Sequence, residues 1–206
     1  NPKVLKNNES VKHFDQSLLN NLTYTFNHSD SKIHFNENEY NDFSALYLKN
    51  GNLINAENIN QKELFVTVLN TNAELAEKKI KTYENAFLDD YVVNLNSVLM
   101  NSGYDFVLEK DTSNKIIISN QIDLNNITVY AKNFFTVKEN SKLTIIEKFF
   151  NDVKSNSNII NYFQVEENAE VTHLIIQDNN IGSNLQLSSH INCLKHSKYK
   201  QVIINT

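Results

Sequence analysis

A short motif occurs twice in the second half of the chain, and the distance between its copies limits the possible folds. The first copy begins at Val137 as V-K-E-N-S-K-L-T, and the second begins 28 residues later, at Val165, as V-E-E-N-A-E-V-T. The same register extends back to T-S-N-K-I-I-I at Thr112 and forward to H-S-K-Y-K-Q-V at His196. Copies at one fixed period are the signature of a repeat architecture, in which each unit stacks on its neighbour.

Each repeat contains about two short β-rich runs, separated by Asn, Asp and Ser, and no helical pattern intervenes. This favours a right-handed parallel β-helix, a β-solenoid with a repeat of about 28 residues, over 104–206. An antiparallel sandwich is the alternative, but it gives no reason for a fixed register. The period predicts two apolar columns: Ile118, Ile146, Leu174 and Val202, and Val137, Val165 and Cys193.

Residues 1–103 are expected to form a small α+β region before the solenoid. Asn50-Gly51 lies between alternating runs in 45–55, which predicts a type I′ hairpin at a sheet edge. Two helices are predicted within about 73–101, the second with one apolar face and with Gly103 as its C-cap. A short helix at 11–22 and a strand at 32–35 are weaker predictions. The apolar face would contain Phe87, Tyr91, Leu95, Val98 and Leu99.

Composition excludes several classes of function. The net charge is −5 and the chain contains no arginine, so nucleic acid is not expected as a partner. No apolar run approaches the length of a membrane span, and the single cysteine cannot form an internal disulfide, which favours a reducing cytoplasm. With only three glycines, the chain is expected to use Asn where the backbone must be left-handed.

Three stretches resemble the SufB/SufD family of iron-sulfur cluster assembly proteins, over roughly 43–206. Segment 94–108 resembles the segment that leads into the family's β-helix; it reads N-L-N-S-V-L-M-N-S-G-Y-D-F-V-L. The two E-N corner motifs resemble consecutive coils of the family. A-L-Y-L-K-N-G-N-L-I from Ala45 is similar to a strand-turn-strand of SufD members, so the resemblance is closest to SufD. The family's V-P-x-G corner is absent here, where L-E-K-D-T-S-N-K stands at 108–115.

The resemblance implies a cytoplasmic or organellar scaffold without catalytic activity of its own. It implies a SufB-like partner bound through the β-helix, a SufC-like ATPase bound through C-terminal helices, and a cluster held by the assembled complex. Further coils and the family's cluster-associated Cys and His would follow Thr206, so no ligand is assigned to this chain. A β-helix ending at that point would expose unpaired strand edges, which predicts self-association.

Four residues are candidates for metal binding: Cys193, His173, His190 and His196. Cys193 shares a column with two valines, so we expect a thiol packed inside the solenoid. His196 replaces the corner asparagines and should be solvated. His190 and Cys193 are three apart on one strand and should face opposite sides, which argues against a shared site.

The Glu139 and Glu167 carboxylates occupy equivalent corners of neighbouring coils. A pair of acids about one coil apart could act as in a retaining glycosidase, but corner acids more often cap turns. The competing function is therefore a β-helix polysaccharide lyase or hydrolase. The absence of arginine and of clustered aspartates argues against it, as does the absence of catalytic fingerprints such as G-x-S-x-G. A structural or adhesin-like solenoid is a third possibility.

Overall fold

The structure is a computed structural model that describes residues 42–54, 63–83, 90–151, 153–179 and 183–205. The helix predicted at 11–22 and the strand predicted at 32–35 lie outside these ranges. Two α-helices and a short 3-10 helix at Leu69–Thr71 precede a series of long strands. The helices are α1 Ala73–Tyr83 and α2 Tyr91–Leu99. The strands are β1 Ser44–Lys49, β2 Asn52–Leu53, β3 Leu64–Val68, β4 Ser102–Leu108, β5 Ser113–Ile122, β6 Thr128–Val137, β7 Lys142–Asn151, β8 Asn156–Val165, β9 Glu170–Asn179, β10 Asn184–Cys193 and β11 Lys198–Asn205.

The strands form two parallel stacks that face each other across a common interior. Sheet A has the order β11-β9-β7-β5-β1-β2, and sheet B has the order β10-β8-β6-β4-β3. From β4 onward the chain alternates between the sheets, so each coil contributes one strand to each sheet. All pairings between successive coils are parallel. The predicted β-solenoid is confirmed.

The corners between sheet B and sheet A repeat one backbone conformation. Asp111, Asn140, Asn168 and His196 have φ between 57° and 59°, in the left-handed region. Each lies in a four-residue turn. At Asp111, Asn140 and Asn168 the residue's own N–H donates to the next coil, as when Asn140 N–H donates to Glu167 O at 3.0 Å. Asn tolerates this conformation better than most residues because its short polar side chain bonds locally. The expectation that Asn replaces glycine at the turns is confirmed at Asn50, Asn126, Asn140 and Asn168.

The repeat is not uniform at its first step. Ser113 pairs with Lys142 and Ile117 with Ile146, a step of 29 residues, whereas Ile146 pairs with Leu174 at a step of 28. The extra residue lies in the turn after β5, which has five residues where the later equivalents have four. The prediction that Ile118 stacks on Ile146 was therefore wrong by one position.

The N-terminal strands extend both sheets of the solenoid. Strand β1 pairs parallel with β5, while β2 pairs antiparallel with β1 at the edge of sheet A. The turn residues Asn50 and Gly51 have φ of 50° and 82°, which confirms the predicted hairpin. Strand β3 pairs antiparallel with β4 and extends sheet B.

The helices cover the outer side of sheet B, but α2 does not present the face expected from its sequence. Val92, Val93 and Asn96 are buried, whereas Val98 is 81% exposed. Asn96 turns inward because its amide donates to Asn158 O at 2.7 Å, which the apolar spacing could not reveal. The predicted C-cap was also wrong: Gly103 is the second residue of β4. A Cβ there would lie 2.6 Å from Lys132 O, so the glycine permits a close approach of two strands.

Candidate functional site

The last coil contains the candidate cysteine, and its surroundings differ from the prediction. Cys193 pairs with Val165, and Val165 with Val137, so the predicted column is confirmed. The two valines are fully buried, but the Cys193 thiol is exposed because β10 is the edge strand of sheet B. The expectation of a packed thiol was therefore wrong for this residue.

His173 lies in the interior and forms the centre of a buried polar chain. Its Nε2 is 3.1 Å from Glu147 Oε2, and both side chains are fully buried. Its Nδ1 is 2.9 Å from the Tyr199 hydroxyl, and Gln201 Nε2 donates to that hydroxyl at 3.2 Å. Burial raises the pKa of Tyr199, and the nearby Glu147 charge acts in the same direction. A carboxylate, an imidazole and a phenol are thus linked across three strands of sheet A.

The same chain continues into sheet B through two buried asparagines. Asn161 Nδ2 donates to Glu147 Oε2 at 3.0 Å, and Asn133 Nδ2 donates to Asn161 Oδ1 at 3.0 Å. Glu147 Oε1 and Asn133 Oδ1 are buried and accept no hydrogen bond from a described residue. Buried polar groups of this kind need fixed partners, so the chain holds the two sheets in one arrangement.

The other two histidines lie elsewhere. His190 is half-buried on the outer side of β10, where its ring centroid is 6.3 Å from that of Tyr162 and 6.4 Å from that of Tyr83. His196 is exposed at the last corner, as predicted. His173 lies in an inner column of sheet A, and Cys193 lies in an inner column of sheet B. His190 lies on the outer side of sheet B. Among the described residues, no group of three or more His, Cys, Asp or Glu side chains could hold a metal ion.

The paired corner glutamates do not act as predicted. Both side chains are exposed, and neither accepts a backbone N–H among the described contacts. The corner is closed instead by main-chain bonds and by Ser141, whose hydroxyl donates to Glu109 O at 2.6 Å. The Glu167 carboxylate lies 3.9 Å from Lys195 Nζ of the next coil. The capping role given to Glu139 and Glu167 was therefore wrong.

The outer edge of the last coil exposes several large apolar side chains. Strands β10 and β11 each have a hydrogen-bonded neighbour on one side only. Such an edge offers backbone donors and acceptors to another strand. Five apolar side chains of this coil are more than a third exposed: Ile191, Leu194, Val202, Ile203 and Ile204.

Sequence reasoning missed Glu147, although the 28-residue period already aligns it with Ile175 and Ile203. With the correct step, Glu147 occupies a column with Ile118, Ile175 and Ile203. His173 interrupts the column of Ile116 and Ile145 in the same way. The pair could have been found from one signal in the sequence. In neighbouring coils, an acid and a histidine replace isoleucines in adjacent inner columns.

Comparison of the chain with protein-family models, with curated proteins and with solved structures found no match. None of the described helices is long and apolar enough to cross a membrane.

Proposed function

We propose that the chain is a scaffold component of iron-sulfur cluster assembly, similar to SufD, which acts through interfaces rather than catalysis. The observation that carries the proposal is the position of the family-like segment 94–108. This segment runs from α2 into β4, the first strand of the parallel solenoid, and the E-N corners follow in the next two coils. The SufD-like hairpin adds its strand β1 to the same solenoid.

The resemblance implies that a SufB-like partner binds through the β-helix, so we expect the scaffold to act through the parallel sheets A and B. The assembled cluster is cargo of the complex with the SufC-like ATPase, and no ligand to it is assigned here.

The test is co-purification of the tagged native gene product with SufB-like and SufC-like proteins from the same source. A stoichiometric complex in light scattering is the expected result, and failure to retain either partner at mild salt would overturn the proposal.

The open sides of β10 and β11 predict self-association of the 206-residue chain. Two copies that pair their β10 or β11 edges would bury the apolar side chains of both. Sedimentation should therefore show dimers or larger species, reduced by Ile203→Asp. A monomer at dilute concentration would contradict this prediction.

A further inference from the structure

A second group of polar side chains lies on the opposite side of sheet B from the polar chain of the interior. Lys132 projects from the outer side of β6 and is only 2% exposed. Its Nζ lies 2.7 Å from Ser97 Oγ on α2 and 3.4 Å from the Tyr162 hydroxyl on β8. It also lies 5.6 Å from the centroid of the Tyr162 ring.

Lys132 differs from the other buried lysine for which the partner is known. Lys49 is 4% exposed, and its Nζ lies 2.7 Å from the Asp123 carboxylate. Among the described residues, Lys132 Nζ has only neutral partners, the hydroxyls of Ser97 and Tyr162. Burial lowers the pKa of the Lys132 amine to about 8. A fraction of the neutral amine, with a free lone pair, is therefore present near neutral pH.

Ser97 is placed to respond to this change of protonation. When Lys132 is charged, its Nζ donates to Ser97 Oγ, and the Ser97 hydroxyl donates to Val93 O at 3.1 Å. When Lys132 is neutral, the hydroxyl can rotate and donate to Nζ instead. The Tyr162 phenol, with its pKa raised by burial to about 12, remains protonated throughout this range.

Accessibility divides the roles between the two residues. Ser97 is a half-buried residue, whereas Lys132 is almost fully buried. A half-buried serine whose hydroxyl contacts a buried amine is the arrangement of serine nucleophiles that use lysine as base.

We propose that Ser97 and Lys132 form a serine–lysine pair that accepts acyl groups from neutral activated esters or thioesters. Ser97 Oγ attacks the carbonyl carbon and forms the new C–O bond, while its proton passes to Lys132 Nζ. The bond from carbon to the alcohol or thiol breaks, and the leaving group takes the proton from Lys132. Water, deprotonated by the same amine, then hydrolyses the acyl-serine and restores the hydroxyl. The proposal does not depend on the scaffold function.

The probe is p-nitrophenyl acetate on the full chain, followed by peptide mass spectrometry. The expected result is nitrophenolate release and acetyl on Ser97, with a rate that rises through pH of about 8 and then levels off. Exposed lysines would instead react increasingly towards higher pH. Ser97→Ala should lose the label, and Lys132→Met should slow acetylation by about a hundredfold, the scale of general-base catalysis.

Ser113→Ala is the control, since Ser113 is exposed at the start of β5 and should not affect labelling. Circular dichroism checks that each variant folds. If the folded native chain shows no acetyl at Ser97 and releases nitrophenolate no faster than Ser97→Ala, the proposal is overturned, even if Lys132→Met cannot be prepared. An equal rate in folded Lys132→Met would overturn it as well, because the amine would then not be the base.

Discussion

Two inner columns run side by side through the solenoid and use opposite kinds of interaction. In the aromatic column, Phe106, Phe135 and Phe163 stack with ring centroids 4.5 Å apart and interplanar angles of 2° and 8°. In the neighbouring column, Asn133 and Asn161 are joined by a 3.0 Å hydrogen bond, and the chain continues to the buried Glu147 carboxylate. Both columns are buried to a similar degree.

The difference separates stability from specificity. Burial of aromatic rings is favourable in any register that fills the volume, because the hydrophobic effect is not directional. Buried amides, an imidazole and a carboxylate are tolerated only with their own partners, because an unpaired one is costly. The aromatic column therefore contributes to the free energy of folding, and the polar chain fixes the register in which neighbouring coils pack.

The largest expected effect comes from the aromatic column. Phe135→Ala removes a ring stacked on both sides and leaves a cavity, which should lower the free energy of unfolding by about 4 kcal/mol. Urea denaturation followed by circular dichroism measures the loss. Phe135→Leu, which keeps much of the volume, should cost clearly less. A loss below about 1 kcal/mol in the alanine variant would show that the interior collapses around the gap.

The polar chain should show a different response, in which one substitution costs more than two. Glu147→Leu strips His173 and Asn161 of their common acceptor and should cost about 3 kcal/mol, since it breaks a buried pair. Glu147→Leu combined with His173→Leu removes both members of the pair and should recover a large part of the loss. A double-mutant cycle by urea denaturation tests this. Additive losses would contradict the coupling that the 3.1 Å contact implies.

Tyr104 also belongs to the polar column, because it pairs with Asn133 between β4 and β6, and it should carry a dependence on pH that the phenylalanines cannot. Burial raises the pKa of Tyr104 to about 12, and its hydroxyl donates to Gly51 O at 2.8 Å. Because an unfolded tyrosine ionises near pH 10, the unfolded chain releases this proton first as the pH rises. The contribution is therefore complete below pH 10 and is lost between about 10 and 12, by at most about 1.4 kcal/mol per pH unit.

Tyr104→Phe tests this assignment. Between pH 9 and 11, the free energy of unfolding of the variant should fall less steeply with pH than that of the native chain, because one ionising group is missing. At pH 7 the variant should be less stable by about 1 kcal/mol, because the hydrogen bond is lost. An unchanged slope would mean that other tyrosines account for the alkaline transition.

The smallest effect is expected at the corners, outside both columns. Asn168→Ala retains a φ of 58° without the local polar bonds of Asn and should cost about 1 kcal/mol. Asn168→Gly removes the steric cost and should stay within about 0.5 kcal/mol of the native chain. Thermal denaturation of the pair makes the comparison. A glycine variant as unstable as the alanine variant would assign the loss to the 3.1 Å amide bond with Asn140 instead.

The sequence predicted the solenoid, the hairpin and the left-handed asparagines because each depends on local residue type or on a fixed period. It failed where a contact between distant residues decides. The face of α2 is set by Asn96 and its bond to Asn158 O, and Gly103 is required by the approach of Lys132 O. The extra residue changed only the β5 partner of Glu147, which is Ile118 and not Ser119. The Glu147–His173 contact joins two different columns, and a period aligns residues only within one column.

That extra residue has a consequence for how length changes in this chain are absorbed. It lies in the turn after β5, where Asn126 has a φ of 60° and its N–H bonds to Lys154 O of the next coil at 2.7 Å. The strands on either side keep their partners, and every later coil returns to a step of 28 residues. One-residue insertions and deletions at this corner are therefore confined to a single coil. The same change inside a strand would exchange its buried and solvent-facing sides, so permitted variation in gene length should collect at these turns.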